Sequence, residues 1–383
     1  MILQVGKRCV GCGACVACCP SHCLSFERHS DGFLYPDVDT ARCLDCGLCD
    51  KSCPVLEKKH KDSTIKKAFA VQASDCDIVE KSSSGGMFYL LASDVLKKGG
   101  YVCGVEVDAK NKIRHAIVDD LENLNRLFGS KYVQSEVGDV YISIKKLLES
   151  GKIVLFSGTP CQVSGLKAFL NKDYNNLLTV DVICHGVPSP YAWEKYLELQ
   201  EKKFGSKIVG VNFRKKTTSW KNYGMELRFA NGDIYFEPGR NDAYLIQFFE
   251  NLCLRETCYS CEFKGANRSS DITIGDFWGK DEVCPELAGE RGLSLVIVNT
   301  SKGQDAFNTT EHSRSSREVE TTKALKYNGA YWDSVKKPRY RDGFIKDLAK
   351  KPFDKATYKY VRKIARERKI LFYIRKIKKI IKK

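Results

Sequence analysis

Two cysteine-rich segments near the N-terminus constrain the fold of this chain more than any other feature. Each follows the pattern C-x2-C-x2-C-x3-C-P, with Cys9, Cys12, Cys15 and Cys19 in the first copy and Cys43, Cys46, Cys49 and Cys53 in the second. In this pattern three closely spaced thiolates hold one 4Fe-4S cluster, and the fourth reaches the other cluster. The spacing therefore predicts one cluster on Cys9, Cys12, Cys15 and Cys53, and a second on Cys43, Cys46, Cys49 and Cys19.

The alternative occupant of these thiolates is tetrahedral zinc, which also takes four sulfur ligands. Zinc sites use two CxxC pairs and rarely this crossed series ending in proline, so iron-sulfur clusters are the better interpretation. Cys18 and Cys23 lie among the ligands and are interpreted as bystanders. Gly11, Gly13 and Gly47 would let the backbone turn tightly around a cluster.

Residues 1–60 have too little apolar periodicity for an ordinary core, so we expect the clusters to hold this segment as a small ferredoxin-like domain. The chain has 18 cysteines, and no stretch approaches the ~20 apolar residues that cross a bilayer. No signal-like apolar run precedes the first cysteines. These features predict a cytoplasmic protein, whose cysteines serve metal binding or redox chemistry because a reducing compartment disfavours disulfides.

Strand and helix patterns alternate after a charged linker at 58–67. We predict strands over 68–73, 101–107, 113–118, 153–156 and 177–183, and helices over 86–98, 140–149 and 162–170. A helix from 190 to about 204 then leads into β-rich sequence at 208–213, 225–229 and 234–236, with a hairpin turn at Asn231-Gly232. The predicted fold class is mixed, α+β and α/β, with a partly parallel sheet. The predicted domains are residues 1–60, 68–150, 151–335 and a basic helical tail at 336–383.

The net charge of +16 is concentrated at the C-terminus, where residues 355–383 contribute +12 and leave +4 for the rest. This distribution does not favour nucleic-acid binding. Apolar residues fall on one face of a predicted tail helix, at Ile370, Tyr373, Ile374, Ile377 and Ile381. Such a helix can lie on an anionic membrane surface, or it can be a solvated charged terminus.

Four cysteines in the body form a looser set, namely Cys161, Cys184, Cys258 and Cys261. Cys161 and Cys184 each follow a predicted strand, so adjacent parallel strands would bring them to one edge of the sheet beside the CxxC pair. This arrangement predicts a third cluster, with Cys253 as a possible substitute ligand. Isolated cysteines are commonly small packing residues, and we interpret Cys76, Cys103 and Cys284 in this way.

Five motifs in the body occur in a fixed order. They are Ser83-Ser84-Gly85-Gly86, Gly129-Ser130-Lys131-Tyr132-Val133-Gln134-Ser135, Gly158-Thr159-Pro160-Cys161-Gln162, Cys184-His185-Gly186 and Cys258-Tyr259-Ser260-Cys261. The set resembles the coenzyme F-420 hydrogenase/dehydrogenase beta-subunit family, whose members bind FAD and a 4Fe-4S cluster. The resemblance covers roughly residues 68 to 310, with the ferredoxin module fused in front.

The resemblance implies a third cluster on the looser cysteines and a flavin lined by Ser83, Ser84, Gly85, Gly86, Ser130, Lys131, Tyr132 and Gln134. Lys131 is expected to stabilise negative charge on a reduced flavin. His185 could relay a proton, or it could brace the loop beside a cluster ligand. No G-x-G-x-x-G motif follows the early strands, so FAD is implied by the resemblance alone.

The expected function is a flavin-dependent iron-sulfur oxidoreductase that couples one-electron transfer to hydride transfer with a deazaflavin coenzyme or another organic substrate. Its expected partners are a redox protein or soluble ferredoxin, and an organic hydride carrier. One alternative is a reductase of a cell-envelope or polysaccharide intermediate. Another is a non-catalytic electron-transfer subunit, and a third is a zinc-stabilised interaction module.

Overall fold

The computed structural model describes residues 2–57, 67–287 and 289–381, with side chains given up to residue 370. Of the predicted charged linker, only Lys67 falls within this range. The predicted tail positions Tyr373, Ile374, Ile377 and Ile381 lie beyond the described side chains, so the apolar face of the tail helix stays a prediction.

The N-terminal unit consists of very short elements that begin with a 3-10 turn at Ile2–Arg8. Gly13 and Gly47 have left-handed backbones, with φ of 83° and 68°, and each precedes a one-turn helix. The two strands of the unit pair in antiparallel fashion. The elements are α1 (Ala14–Ala17), β1 (Leu24–Arg28), β2 (Leu34–Val38) and α2 (Leu48–Lys51). This is the predicted small ferredoxin-like unit.

The body contains two further sheets. Its strands are β3 (Lys67–Ala73), β4 (Tyr101–Val107), β5 (Ile113–Val118), β6 (Val154–Gly158), β7 (Leu177–Val182), β8 (Ile208–Ser219), β9 (Asn222–Phe229), β10 (Ile234–Pro238), β11 (Ile272–Asp276), β12 (Ser294–Val298) and β13 (Arg314–Val319). Eight of them form one mixed sheet in the order β13-β3-β12-β11-β7-β6-β4-β5. The middle strands β4, β6, β7 and β11 run parallel to one another, which confirms the predicted mixed α/β class.

The strands β8, β9 and β10 form a separate antiparallel sheet, with Gly232 at φ 91° in the turn between the last two. The strand β8 runs six residues beyond its predicted end at 213. Its continuation carries Arg214 and Lys216, which are buried on one face and alternate with exposed residues. The alternation expected of a strand is therefore present, but buried cations replace the usual apolar residues.

Helices cover both faces of the large sheet and form the C-terminal end. They are α3 (Cys76–Lys81), α4 (Met87–Lys97), α5 (Val140–Glu149), α6 (Pro160–Leu170), α7 (Pro190–Phe204), α8 (Ala243–Phe249), α9 (Lys280–Val283), α10 (Ser301–Asn308), α11 (Thr321–Leu325), α12 (Arg341–Leu348) and α13 (Phe353–Ile381). The short helix α3, between the predicted strand at 68–73 and the predicted helix at 86–98, was not predicted. Asp75 begins α3 by accepting a hydrogen bond from the backbone N–H of Asp77 at 2.8 Å.

The long helix α13 begins against the body. Phe353, Ala356 and Tyr360 are buried in one apolar cluster with residues of α7 and α8. No helix in the described ranges is both long enough and apolar enough to cross a membrane. The basic tail is therefore joined to the body through its first turns.

Candidate functional site

The predicted cluster cysteines surround three cavities. The outer cavity is lined by Cys19, Cys43, Cys46 and Cys49, the middle cavity by Cys9, Cys12, Cys15 and Cys53, and the inner cavity by Cys161, Cys184, Cys258 and Cys261. The structure thus brings together each of the three predicted sets, including the crossed fourth cysteine of each N-terminal pattern.

Parallel strands position the inner cavity as the sequence suggested. Gly158 at the end of β6 pairs with Asp181 near the end of β7, so Cys161 and Cys184 follow neighbouring strand ends. Cys161 lies in the first turn of α6, which begins with a capping box between Thr159 and Gln162. The 3-10 turn Glu256–Ser260 brings the CxxC pair to the same edge.

The sulfur atoms suit a polynuclear cluster. Within the described ranges, no three His, Cys, Asp or Glu side chains converge closely enough to hold a single metal ion. The four thiols of each set instead stand around a cavity, and a cubane takes one sulfur at each of its four irons. Gly11 also donates its backbone N–H to Cys9 Sγ at 3.3 Å, the type of contact that tunes cluster sulfurs.

Burial disfavours the thiolate form of the free cysteines. It raises the pKa of Cys12, Cys53, Cys161 and Cys184, with added repulsion from neighbouring cysteines in the cavities of Cys12 and Cys161. It raises the pKa of Cys258 to about 12. Because iron binds thiolates, a cationic cluster would supply the compensating charge that these buried sulfur atoms need.

Adjacent cavities share lining residues. Ile2 lines both the outer and the middle cavity, and Val10 lines both the middle and the inner cavity. The three cavities therefore form a row, with the middle cavity between the other two. The row ends at the surface on the outer side, where Cys46 is exposed and Leu44 is 68% exposed.

A glycine on α6 allows the middle cavity to approach the body. A Cβ atom at Gly165 would lie 2.7 Å from Cys12 Cβ and 2.8 Å from Cys12 Sγ. Both distances are shorter than ordinary contacts, so only glycine fits there without displacement. The helix that carries Cys161 thus packs directly on a predicted ligand of the middle cluster.

Arg255 joins the N-terminal unit to the body and was missed by the sequence analysis. Its guanidinium is buried and donates to Cys9 O, Leu34 O and Gln134 Oε1 at 2.7, 2.8 and 2.9 Å. It also lies over the ring of Tyr35, 4.4 Å from the centroid. No local motif marks this arginine, because its partners are distant in sequence.

The predicted flavin residues fall into two groups. Ser83 is the first residue of the serine-glycine segment at 83–86, and it contacts Ser130. The two hydroxyl oxygens are 2.9 Å apart, and Ser130 N donates to Ser83 Oγ at 2.7 Å. Ser84 Oγ donates to Leu293 O, and Ser294 Oγ accepts from Gly85 N at 2.9 Å. Gly86 begins α4 in the left-handed region, and no described side chain caps this helix start.

The side chain of Gln134, predicted to line the flavin, forms its hydrogen bonds with Val10 and Arg255 instead. Its Nε2 donates to Val10 O at 3.0 Å, and its Oε1 accepts from Arg255, so both ends of the amide serve the contact with the N-terminal unit. The ring of Tyr132, between Lys131 and Gln134 in the chain, stacks on the ring of Phe248 with the centroids 4.7 Å apart. The structure therefore gives Gln134 a contact between domains that the resemblance did not imply.

Lys131 is half-buried, and its Nζ donates to Phe128 O at 2.6 Å and Arg126 O at 3.3 Å. Burial lowers the pKa of its ammonium group to about 7. The neighbouring Glu106 opposes that change. The ammonium group of Lys131 is therefore only partly protonated near pH 7, and an approaching anion would raise its pKa.

His185 lines the inner cavity and is held by Asn251, whose Oδ1 lies 2.6 Å from its Nε2. Its ring also meets Phe248 edge-on at 5.1 Å. Burial lowers the pKa of His185. These contacts agree with the bracing role that the sequence analysis considered.

The other cysteines have mixed placements. Cys23 lines the outer cavity, and its Sγ lies 3.4 Å from Cys19 Sγ, closer than expected of a bystander. Cys253 is buried and donates to Gln247 Oε1. Cys103 and Cys284 are buried, as packing residues should be, but Cys76 is exposed beside Arg291, so its interpretation as a packing residue is wrong.

Comparison with known proteins gives matches for two parts of the chain. Residues 8–56 match the 4Fe-4S dicluster domain, and residues 151–326 match the family described as the C-terminal part of the coenzyme F420 hydrogenase/dehydrogenase beta subunit. No curated protein matches the sequence. One similar solved structure is described as the xenon derivatization of the F420-reducing NiFe hydrogenase complex from Methanosarcina barkeri. That alignment has 15% identity, covers 70% of this chain and 92% of that chain, and has a TM-score of 0.46.

The dicluster domain defines the class, because a chain with this domain is an iron-sulfur protein that transfers electrons. More particularly, residues 151–326 match the C-terminal part of the coenzyme F420 hydrogenase/dehydrogenase beta subunit, with the dicluster domain in front. The resemblance identified from the motifs over residues 68–310 is confirmed for residues 151–326, and this match supports an oxidoreductase.

Proposed function

We propose that this chain is an iron-sulfur flavoprotein that couples one-electron transfer through three 4Fe-4S clusters to hydride transfer at FAD. The observation that carries the proposal is the row of three cysteine-lined cavities, in which Val10 lines both the middle and the inner cavity. Clusters in such a row would be separated by little more than side chains. The proposed domains are residues 1–60, 68–150, 151–335 and a tail at 336–383.

In this proposal the cysteines hold their clusters as the spacing predicted. Cys9, Cys12, Cys15 and Cys53 would hold the middle cluster, while Cys43, Cys46, Cys49 and Cys19 would hold the outer one. Cys161, Cys184, Cys258 and Cys261 would hold the third. The glycine at 165 supports this order, because it lets the helix that carries Cys161 touch Cys12.

The flavin would lie at the serine-glycine segment. Ser83, Ser84 and Ser130 offer hydroxyls, and the start of α4 offers backbone N–H groups suited to phosphate. Lys131 would contribute charge, since its depressed pKa marks a cation that a bound anion stabilises. When bound, FAD supplies the exchange between a hydride and single electrons that the clusters cannot perform alone.

The outer cavity is the proposed contact with a redox partner or soluble ferredoxin. Cys46 is exposed, and Leu44 and Leu48 beside it are 68% and 42% exposed. Exposed leucines around a surface cluster suit a short-lived contact with another redox protein.

Two classes of organic reactant are proposed for the hydride transfer. A deazaflavin coenzyme is the proposed hydride carrier because of the family. Reduction of a cell-envelope or polysaccharide intermediate is the alternative. A subunit that transfers electrons without flavin remains the outcome that the experiment must exclude.

The experiment is anaerobic mixing of the purified holoprotein with reduced deazaflavin coenzyme while the visible iron-sulfur absorption is recorded. We expect bleaching that requires bound flavin and is lost when flavin is removed. A Ser83→Ala and Lys131→Met double variant should keep its iron and lose this response. Bleaching that persists without flavin would contradict hydride transfer at FAD.

A further inference from the structure

The three cavities differ in the charge that surrounds them. The outer cavity is lined by Asp45 and Asp50, and the middle cavity is lined by apolar residues and cysteines. The inner cavity is lined by three cationic side chains, Arg255, Lys264 and Arg268. Charge near an iron-sulfur cluster is one of the main determinants of its reduction potential, because the reduced cluster carries one more negative charge.

Two of these cations have neutral hydrogen-bond acceptors. Lys264 Nζ donates to Cys184 O and, at 2.8 Å, to Ala330 O. The acceptors of Arg255 are two backbone carbonyls and the amide of Gln134. Neutral acceptors satisfy the N–H groups without cancelling their charge, so both cations remain as positive charge beside the inner cavity.

The third cation is partly compensated. Arg268 Nη1 lies 3.3 Å from Asp181 Oδ2, and both side chains are buried. A carboxylate at this distance cancels part of the guanidinium charge, so the pair contributes less net charge than Lys264. Arg255 also donates to Cys9 O beside the middle cavity, so the charge contrast between the inner and middle cavities depends mainly on Lys264.

We propose that Lys264 makes the inner cluster easier to reduce than the middle cluster. This inference rests on the proposed function, since it requires a third cluster at the inner cavity. The cysteines of the middle cavity are buried and those of the inner cavity are half-buried, whereas Cys46 of the outer cavity is exposed. The exposed outer cavity differs in hydration as well as in charge, and both influence potential.

The chemical step is the exchange of one electron between neighbouring clusters. The middle cluster is oxidised by one electron and the inner cluster is reduced by one, with no bond made or broken. The cations at the inner cavity stabilise the added negative charge. Electrons that arrive through the dicluster domain would therefore settle next to the flavin-binding half of the chain.

The test is a redox titration of the full-length holoprotein followed by electron paramagnetic resonance. A Cys258→Ala and Cys261→Ala double variant identifies the signal of the inner cluster as the one that disappears. We expect this signal to form at a higher potential than that of the middle cluster in the unmodified protein. The double variant assigns the signals, and both potentials are then measured in the unmodified protein.

Lys264→Gln then removes the charge and keeps a hydrogen-bond donor, with Lys264→Arg as the charge-conserving control. We expect Lys264→Gln to shift the inner-cluster equilibrium at least tenfold towards the oxidised form, or about 59 mV for a one-electron couple. Lys264→Arg should leave it near its original potential, and the middle signal should stay unchanged in both.

Two results would overturn the inference, and they differ. The charge effect alone would be refuted in a protein with about twelve irons by either of two findings. The inner cluster could be reduced at or below the potential of the middle cluster, or its potential could be unchanged in Lys264→Gln. A protein with about eight irons would refute the third cluster, and with it the proposed function.

Discussion

Arg255 Nε donates a hydrogen bond to the backbone carbonyl of Cys9 at 2.7 Å across 246 residues of sequence. Cys9 is a predicted ligand of the middle cluster, and Arg255 precedes the CxxC pair of the inner cavity by three residues. One buried side chain therefore links the dicluster domain directly to the segment that carries the inner cysteines. The distance between the two cavities depends on this contact.

Replacement of Arg255 should loosen the N-terminal unit. In Arg255→Met, Cys9 O, Leu34 O and Gln134 lose a buried charged donor, which should cost about 3 kcal/mol or more of unfolding free energy. Hydrogen exchange of backbone amides in residues 2–57 would measure the loss. Arg28→Gln is the control, because Arg28 also crosses this contact to Glu194 but does so in an exposed ion pair. That pair should contribute no more than about 1 kcal/mol.

The glycine at 165 predicts a steric effect on the middle cluster. Gly165→Ala would place a Cβ 2.7 Å from Cys12 Cβ, so either α6 or the cysteine must move. We expect faster oxygen-dependent loss of iron, measured as bleaching in air. Gly289→Ala is the control, since a Cβ there has no heavy atom within 4 Å. Equal rates of bleaching in the two variants would refute the close packing of α6 on the cluster.

Lys131 should make FAD binding depend on pH. Burial lowers its pKa to about 7 without ligand, and an anionic cofactor would raise that value by favouring the ammonium form. Affinity should therefore be greatest below pH 7 and fall as pH rises through about 7 and above, by up to about tenfold per pH unit. Titration of flavin-free protein with FAD would show this slope. Lys131→Met should abolish it, while exposed Lys97→Met should not.

His115 should sensitise the body to acid. It is buried against Phe156, and burial lowers its pKa from 6.5 to about 4. Below pH 6.5 the imidazole of His115 is protonated in the unfolded chain but stays neutral in the folded chain. The free energy of unfolding therefore falls as the pH drops from about 6.5 towards 4. The loss should approach about 3 kcal/mol. Anaerobic thermal unfolding should show a smaller loss between pH 7.5 and 5 in His115→Gln than in exposed His312→Gln.

Leu44 offers a test of the outer contact. Leu44→Glu should leave stability nearly unchanged, because the side chain is 68% exposed. It should slow reduction by a ferredoxin roughly tenfold, the effect of losing one apolar contact of about 1.4 kcal/mol. Reduction by a small dye should keep its rate. Leu121→Glu, exposed at a distant turn, is the control in stopped-flow measurements.

Much of the fold followed from local patterns. The strands β4 and β5 and the helix α5 have the predicted bounds, because regular apolar alternation and helical spacing mark them in the chain. Adjacent parallel strands at Cys161 and Cys184 also agree with the prediction. The extension of β8 was missed because its buried positions are Arg214 and Lys216, which local patterns mark as exposed.

The site was predictable where chemistry depends on spacing. Each cysteine set could be grouped from the sequence, because cluster ligands recur at short, regular intervals or follow strand ends. Arg255 and Gly165 could not be found in this way. Their roles depend on contacts with Cys9 and Cys12, more than a hundred residues away in the chain, which only the packing of the two domains defines.

The most direct test of the account is a cofactor count on anaerobically purified protein, with iron, acid-labile sulfide, zinc and released flavin measured per chain. The account predicts about twelve irons, a matching amount of sulfide and one FAD. About eight irons without flavin would contradict the catalytic centre and leave an electron carrier, and zinc in place of iron would contradict the cluster assignment as a whole.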